Sequence, residues 1–310
     1  MNNALFPTRK DFLLAMAGAT LLPSVLPAQT GPGKLLIVVA HPDDEYAFAA
    51  TTYRLVRESG WTADQVVITN GESGYRYASL AETFYGVSLA ATGEGRANLS
   101  EIRKKEARNA GRVLGIRQFY FLDQRDLGFD TDAASADSSN WDRPYLRRFL
   151  SDTMSRERYD VVFTLLPTAQ THGHHRAATL LALEAATDLA GPHPLIFGAE
   201  PRGTNEAALA FSGLPGQSLT RTAQAEPALV FDRETAFGFR DSLNYQIVAN
   251  WLIAEHKSQG LFQTDYGQHR FEQSWLFAAS GETAFQHLSE LQTMLGPSKQ
   301  QTLAQKGTSK

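Results

Sequence analysis

Four short apolar runs, each passing through polar residues into a helix-length segment, limit the folds open to this chain. They are Leu35–Val39, Asp64–Thr69 (around Val66-Val67-Ile68), Gln118–Leu122 and Val161–Leu165. All are short, rich in β-branched or aromatic residues, and without polar alternation, as expected of strands buried on both faces of a parallel sheet. Between them lie helical patterns. Tyr46–Glu58 carries Ala47, Ala50, Leu55 and Val56 on one side, with Gly60 as its stop. Glu101–Leu114 has Ser100 as N-cap and Gly115 as its end, and Arg103 and Glu106 are spaced to pair on its surface. Trp141–Arg158 and His175–Leu189 read as two more helices. Strand and helix alternating four times predict an α/β fold, a mostly parallel sheet with right-handed crossovers and helices on both faces. Leu195–Gly198 and Ala228–Phe231 read as further strands. Trp275–Ala279 reads as a strand or turn between helices Leu243–His256 and Glu282–Leu295. The excursion 75–99 carries Tyr75, Tyr77, Phe84 and Tyr85, rings that either line a cleft or fasten the loop to the body. Residues 130–140 have no periodicity and read as a solvated loop.

The first run ends in Ala40-His41-Pro42-Asp43-Asp44-Glu45. In open α/β sheets ligands bind at the carboxyl edge of the strands, where this cluster falls. Acids favour a helix N-terminus, which accounts for Asp43, Asp44 and Glu45 but not for His41. Three carboxylates crowded at a strand end call for positive compensation, and a divalent cation is the simplest form of it. The fourth run exits into Thr171-His172-Gly173-His174-His175, so four of the eight histidines lie at two strand exits. Residues three apart at a helix start can converge, as His172 and His175 would. His175 with His41 and Asp44 makes a two-nitrogen, one-carboxylate set with room for water, a set compatible with catalytic zinc. The chain has no cysteine, which excludes thiolate metal sites, disulfides and a cysteine nucleophile.

A formal charge of −4 leaves no basic footprint for nucleic acid. Residues 1–28 read as an export signal, with Arg9 and Lys10 before the apolar stretch Phe12–Leu26 and small Ala28 at the cleavage position. Thr8-Arg9-Lys10-Asp11-Phe12-Leu13 resembles a twin-arginine signal with Lys for the second Arg, and the stretch is too short and interrupted for a stable membrane span. The expected product is a periplasmic or extracellular protein with one domain over 34–296 and a polar tail over 297–310. No Gly-x-Gly-x-x-Gly follows the first strand, which disfavours a nicotinamide enzyme. Gly71-Glu72-Ser73-Gly74 lacks the spacing of a nucleophile elbow.

Taken together, these motifs resemble the PIG-L (LmbE-like) zinc-dependent N-deacetylases. Ala40-His41-Pro42-Asp43-Asp44-Glu45 matches the first family motif. Thr69-Asn70-Gly71-Glu72, Arg103-Lys104-Lys105-Glu106 and Leu114-Gly115 follow in the family order. His172-Gly173-His174-His175 stands for the usual His-x-Asp-His, and His256-Lys257-Ser258-Gln259 for a later element. The resemblance spans about residues 34–260 and implies a Rossmann-like deacetylase with zinc on His41, Asp44 and His175. It implies Asp43 as general base, and a protonated His172 that stabilises the oxyanion or protonates the departing amine. Glu72, Arg76 and Asp126 are the candidate substrate contacts, for an N-acetylated amino sugar or glycoconjugate. The sequence departs from the pattern at His174, where Asp is usual; Asp123 or Asp126, at the neighbouring strand exit, could supply the missing acid. The alternative from another class is an exported metal-containing carbohydrate-binding protein without turnover.

Overall fold

β1 (Lys34–Val39) is buried along almost its whole length, and alternate residues feed two separate cores. Leu35, Ile37 and Val39 pack into one, Leu36 and Val38 into the other. A strand of this kind needs cover on both faces. The computed structural model describes residues 32–91, 93–128, 141–260, 268–280 and 284–296. The expected export signal, the loop at 130–140 and the polar tail lie outside the described residues.

Around β1 are β2 (Thr62–Thr69), β3 (Ile116–Gln124), β4 (Val161–Leu165), β5 (Leu195–Arg202) and β6 (Leu229–Asp232). A small pair, β7 (Ala236–Phe237) and β8 (Leu243–Asn244), precedes β9 (Phe271–Leu276). The main sheet has the order β3-β2-β1-β4-β5-β9-β6. β1 to β5 are mutually parallel, and β9 runs antiparallel to both β5 and β6. The chain therefore leaves β1 toward β2 and β3, then crosses back to β4 on the other side of β1. That reversal opens a crevice at the carboxyl ends of β1 and β4.

The helices are α1 (Ala49–Tyr53), α2 (Ser79–Tyr85), α3 (Glu94–Leu114), α4 (Arg143–Glu157), α5 (Gly173–Thr187), α6 (Gln246–Glu255) and α7 (Ala284–Leu295). α1 is the middle of a longer helical stretch, with a 3-10 turn before it at Asp44–Phe48 and a π turn after it at Arg54–Glu58. Residues of α1, α3, α6 and α7 cover one face, and residues of α4 and α5 cover the other. Helices on both faces agree with the sequence expectation.

Two local expectations, the Ser100 cap and the start of the helix at Leu243, are corrected. Ser100 is not an N-cap, because α3 starts about two turns earlier, after Gly93; its hydroxyl donates back to the Arg96 carbonyl instead (3.2 Å). The excursion 75–99 is largely ordered in turns and helix around a small core of Ala78, Ala81, Leu89 and Leu99. α6 begins at Gln246 rather than Leu243, since Leu243 and Asn244 pair with Ala236 and Phe237 as extended chain.

One buried ion pair ties the antiparallel edge to the segment after β1. Arg233, fully buried beyond β6, donates from Nε to Glu272 Oε1 (2.9 Å) on β9. It also donates to the Tyr46 carbonyl (2.7 Å) and hydroxyl (2.6 Å). Both Glu272 oxygens accept amide N–H groups at the start of α1, Ala50 (2.8 Å) and Thr51 (2.8 Å). Removing the guanidinium leaves a carboxylate in the core with no counter-charge at that distance. Arg233→Ala is expected to lose about 3–5 kcal/mol of stability in chemical denaturation. Arg147→Ala, which breaks an exposed pair with Asp188, should leave the midpoint where it is.

Candidate metal centre and active site

The turn after β1 is shaped by its own acids. Asp44 does not cap a helix; its Oδ2 reaches back to accept the amides of Ala40 (3.1 Å) and His41 (2.8 Å). This fold-back brings its carboxylate against two imidazoles. Asp44 Oδ1 lies 3.1 Å from His175 Nε2, Asp44 Oδ2 lies 3.6 Å from His41 Nδ1, and the two ring nitrogens are 2.9 Å apart. Donors about 2.0–2.1 Å from a tetrahedral zinc stand about 3.3 Å from one another, and one ligand atom from each of the three residues lies within 4.8 Å of the others, a spacing such an ion can use. Burial works to raise the Asp44 pKa, yet His175 and His41 hold it well below the usual carboxylate range. Burial likewise opposes charge on His41, and Asp44 with Asp126 outweighs it and raises that pKa.

A second set, His41 with His172 and His174, is also close enough to share an ion. It is the poorer candidate. His172 caps α5, and its Nδ1 accepts the amide N–H of His174 (3.0 Å). His174 is buried against Trp141 and does not line the cavity. His41, Asp44 and His175 all face that cavity, of about 790 Å³, which is within the usual range for ligand sites.

Asp43 is directed elsewhere. Its Oδ2 meets Arg103 at 2.8 Å, and the same guanidinium donates to the carbonyls of Gly71 (2.6 Å) and Pro42 (2.9 Å). Arg103 and Glu106 are thus buried and bound to other partners, not paired on the surface of α3. Gly71 has φ +68°, and a Cβ there would lie 2.5 Å from the guanidinium, so both conformation and space require glycine. Asp43 has φ 149°, a strained conformation for a residue with a side chain, of order 1–3 kcal/mol. Burial pushes its carboxyl up to about 6, against the opposing pull of Arg103. Glu45 is withdrawn from the centre: buried completely, it pairs with His256 Nε2 (2.7 Å) and accepts from Gln65. Ser258, two residues on, binds Glu106 through both its amide (2.8 Å) and its hydroxyl (2.6 Å).

His172 differs from the expectation of an imidazolium. With Nδ1 accepting from a backbone amide, the ring is neutral and carries its proton on Nε2. Burial, followed by the neighbouring His41 and His175, lowers its pKa to about 2. The acid near His174 is Asp126, whose Oδ1 is 3.5 Å from His174 Nδ1 and 4.0 Å from His41 Nε2. Asp123 is held by Lys104 at 2.6 Å and largely exposed. Asp126 also accepts the Ser73 amide (3.0 Å) and the Gly128 amide (2.9 Å), so it braces the loops as well as the imidazoles. Of the candidate substrate contacts, Asp126 and Arg76 line the cavity. Glu72 does not; its Oε1 accepts the Asp126 amide (3.2 Å). The rings of the excursion divide the two tasks: Tyr75 and Tyr77 line the cavity, and Tyr85 donates its hydroxyl to Glu106 (2.8 Å).

Sequence reasoning missed Arg103 as the partner of Asp43, and Glu200 and His269 in the cavity wall. The motif order placed Arg103 and His256 near the site without saying what they bind.

Residues 36–186 match the family described as GlcNAc-PI de-N-acetylase, PIG-L. No curated protein matches the sequence. Among solved structures, a triple mutant of a deacetylase of the teicoplanin biosynthetic pathway is 14% identical, with 79% of this chain and 98% of that one covered at a TM-score of 0.50. The N,N′-diacetylchitobiose deacetylase from Pyrococcus horikoshii, complexed with its inhibitor MPG, is 18% identical, with 88% and 94% covered at 0.47. A 4-carboxy-2-hydroxymuconate hydratase from Pseudomonas putida is 18% identical, with 79% and 95% covered at 0.47. At such identities a likeness speaks to fold and not to reaction. Residues 36–186, which run from β1 to the end of α5 and contain both halves of the site, belong to the PIG-L family.

Proposed function

We propose that the protein is an exported, zinc-dependent N-deacetylase that hydrolyses the acetamide of an amino sugar or glycoconjugate. The observation that carries this reading is the pairing of adjacent acids: Asp44 joins His41 and His175 at the cavity, while Asp43 stands beside them bound to Arg103. Bound to those three donors, zinc would polarise the amide carbonyl and lower the pKa of a water. Asp43 takes the proton of the attacking water, and burial favours this by bringing its basicity toward neutral pH. Arg103 fixes the carboxylate for that transfer through bonds to two backbone carbonyls. His172 offers its Nε2–H to the carbonyl oxygen as negative charge develops there, a role a neutral imidazole can fill. Asp43 then returns the proton to the departing amine, giving acetate and a free amino group. The family match supports the reaction class. The N-terminal segment supports export, and N-terminal sequencing of the secreted protein, expected to start near residue 29, checks it.

Acetate release from N-acetylglucosamine, chito-oligosaccharides and an N-acetylated glycopeptide is the first test; zinc binding with no release from any of them would favour a binding protein. Asp43→Asn should retain zinc and lose at least about 100-fold in kcat, in keeping with the worth of a positioned base. Asp44→Asn should lose zinc itself. Metal analysis of the two variants checks this division, and equal zinc loss in both would break it. The pH profile follows from the same carboxyl. Asp43 acts as a base only when ionised, so kcat/KM should fall as pH drops through about 6. An acid limb above pH 7 would belong to another group.

A further inference from the structure

β5 outruns its neighbour β4, which ends at Leu165 opposite Ala199. The overshoot, Glu200 to Arg202, pairs only with β9, and its Glu200 and Pro201 line the cavity. Glu200 faces the cavity from this wall, half-buried, and its carboxylate makes no hydrogen bond among the described residues. Its neighbours are already engaged. Glu206 Oε1 accepts the Gly203 amide (2.9 Å), and Glu206 Oε2 pairs with Arg202 Nε (2.9 Å). Arg202 in turn donates to the Ala207 carbonyl (2.7 Å). Burial, with Glu206 reinforcing it and Arg202 opposing, pushes the Glu200 carboxyl up to about 7. A carboxyl sequestered this way and left with open acceptor positions costs free energy that donors from a ligand would recover.

Tyr75 and Tyr77 line the same cavity, with the Arg96 guanidinium 5.1 Å from the Tyr75 ring centre. The cavity thus carries aromatic rings and an open carboxylate acceptor, with the candidate metal ligands also in its lining. That arrangement suits a ring with an apolar face and hydroxyl groups around its edge. We propose that Glu200 is a specificity-determining residue that accepts hydrogen bonds from ring hydroxyls of the substrate, selecting a polyhydroxylated amide over a plain one. The inference rests on the hydrolase reading and adds a substrate-recognition residue to it. No covalent step is involved, and Asp43 and His172 keep their roles.

The test compares wild type, Glu200→Ala and Glu200→Gln, each loaded with zinc. The substrates are N,N′-diacetylchitobiose and N-cyclohexylacetamide, which has a ring of the same size without hydroxyls. Binding of glucosamine is measured in parallel by calorimetry. Glu200→Ala should lose about 10- to 100-fold in kcat/KM toward the sugar, mainly through KM, the range expected for hydrogen bonds to a charged group. Toward N-cyclohexylacetamide it should be unchanged, so the preference ratio collapses. Glu200→Gln keeps one carbonyl acceptor and should fall between. If Glu200→Ala does not fold, the isosteric Gln variant is read by the same ratio. An unchanged ratio in a folded variant overturns the proposal. So does an equal fall in kcat for both substrates, which would make Glu200 a proton donor. Wild type that releases acetate from neither substrate would sink the hydrolase reading alone. Glucosamine affinity would then still decide the matter: weakened in the variants it supports Glu200 as the acceptor, and unaltered it overturns it.

Discussion

Three consecutive acids at the end of one buried strand cannot all remain charged in each other's company. In this protein each is given a different nitrogen partner, guanidinium or imidazole. Asp43 meets Arg103 from α3, Asp44 meets His41 and His175, and Glu45 meets His256 at the end of α6. The partition is electrostatic first, since unpaired buried carboxylates cost several kcal/mol each. It is also architectural. α3, α5 and α6 are held against the end of β1 by charges as well as by apolar packing. The strained backbone of Asp43 fits the same account, because its side chain must turn away from that of Asp44 to reach Arg103.

The strand order explains why such a cluster can be reached from outside. A buried parallel strand is closed on both faces, and access exists only where its neighbours leave in opposite directions. β1 has β2 on one side and β4 on the other, and the polar segments after β1 and β4 meet in the resulting crevice. The antiparallel return of β9 then closes the far side. Through Arg233 and Glu272 it anchors Tyr46 and the start of α1, whose neighbours Tyr46 and Ala47 line the cavity. The chemistry of the site and the stability of the sheet edge share residues.

Departure from the family pattern at His174 is absorbed locally. The buried imidazole's Nδ1 stands 3.2 Å from His41 Nε2, where it can take that ring's N–H, and Asp126 Oδ1 stands beside both nitrogens. An outer partner of this kind sets which nitrogen a ligating histidine presents. Burial, with help from His41, lowers the His174 pKa to about 4, which keeps it an acceptor at neutral pH. A carboxylate from β3's exit, not from the histidine motif, thus supplies the negative charge.

The sequence alone determined the layering and the place of the site. Unbroken apolar runs such as Leu35–Val39 have no polar face to give to water, so they required a parallel sheet covered on both sides. His41, Asp44 and His175 were legible as a candidate ligand set because they stand at two strand exits, and the fold brings the three side chains together. Tertiary structure decided what local spacing cannot express. Arg103 and Glu106 are three apart on α3 and looked like a surface pair, but packing buries both and sends them to Asp43 and Ser258. Whether Ser100 caps a helix depended on how far α3 could extend backward over the excursion. The neutral state of His172 followed from a cap bond to a backbone amide, and Glu200 entered the cavity because β5 outruns β4. These are outcomes of long-range packing, in which a side chain's partner is chosen by three-dimensional proximity and by the cost of burying charge alone.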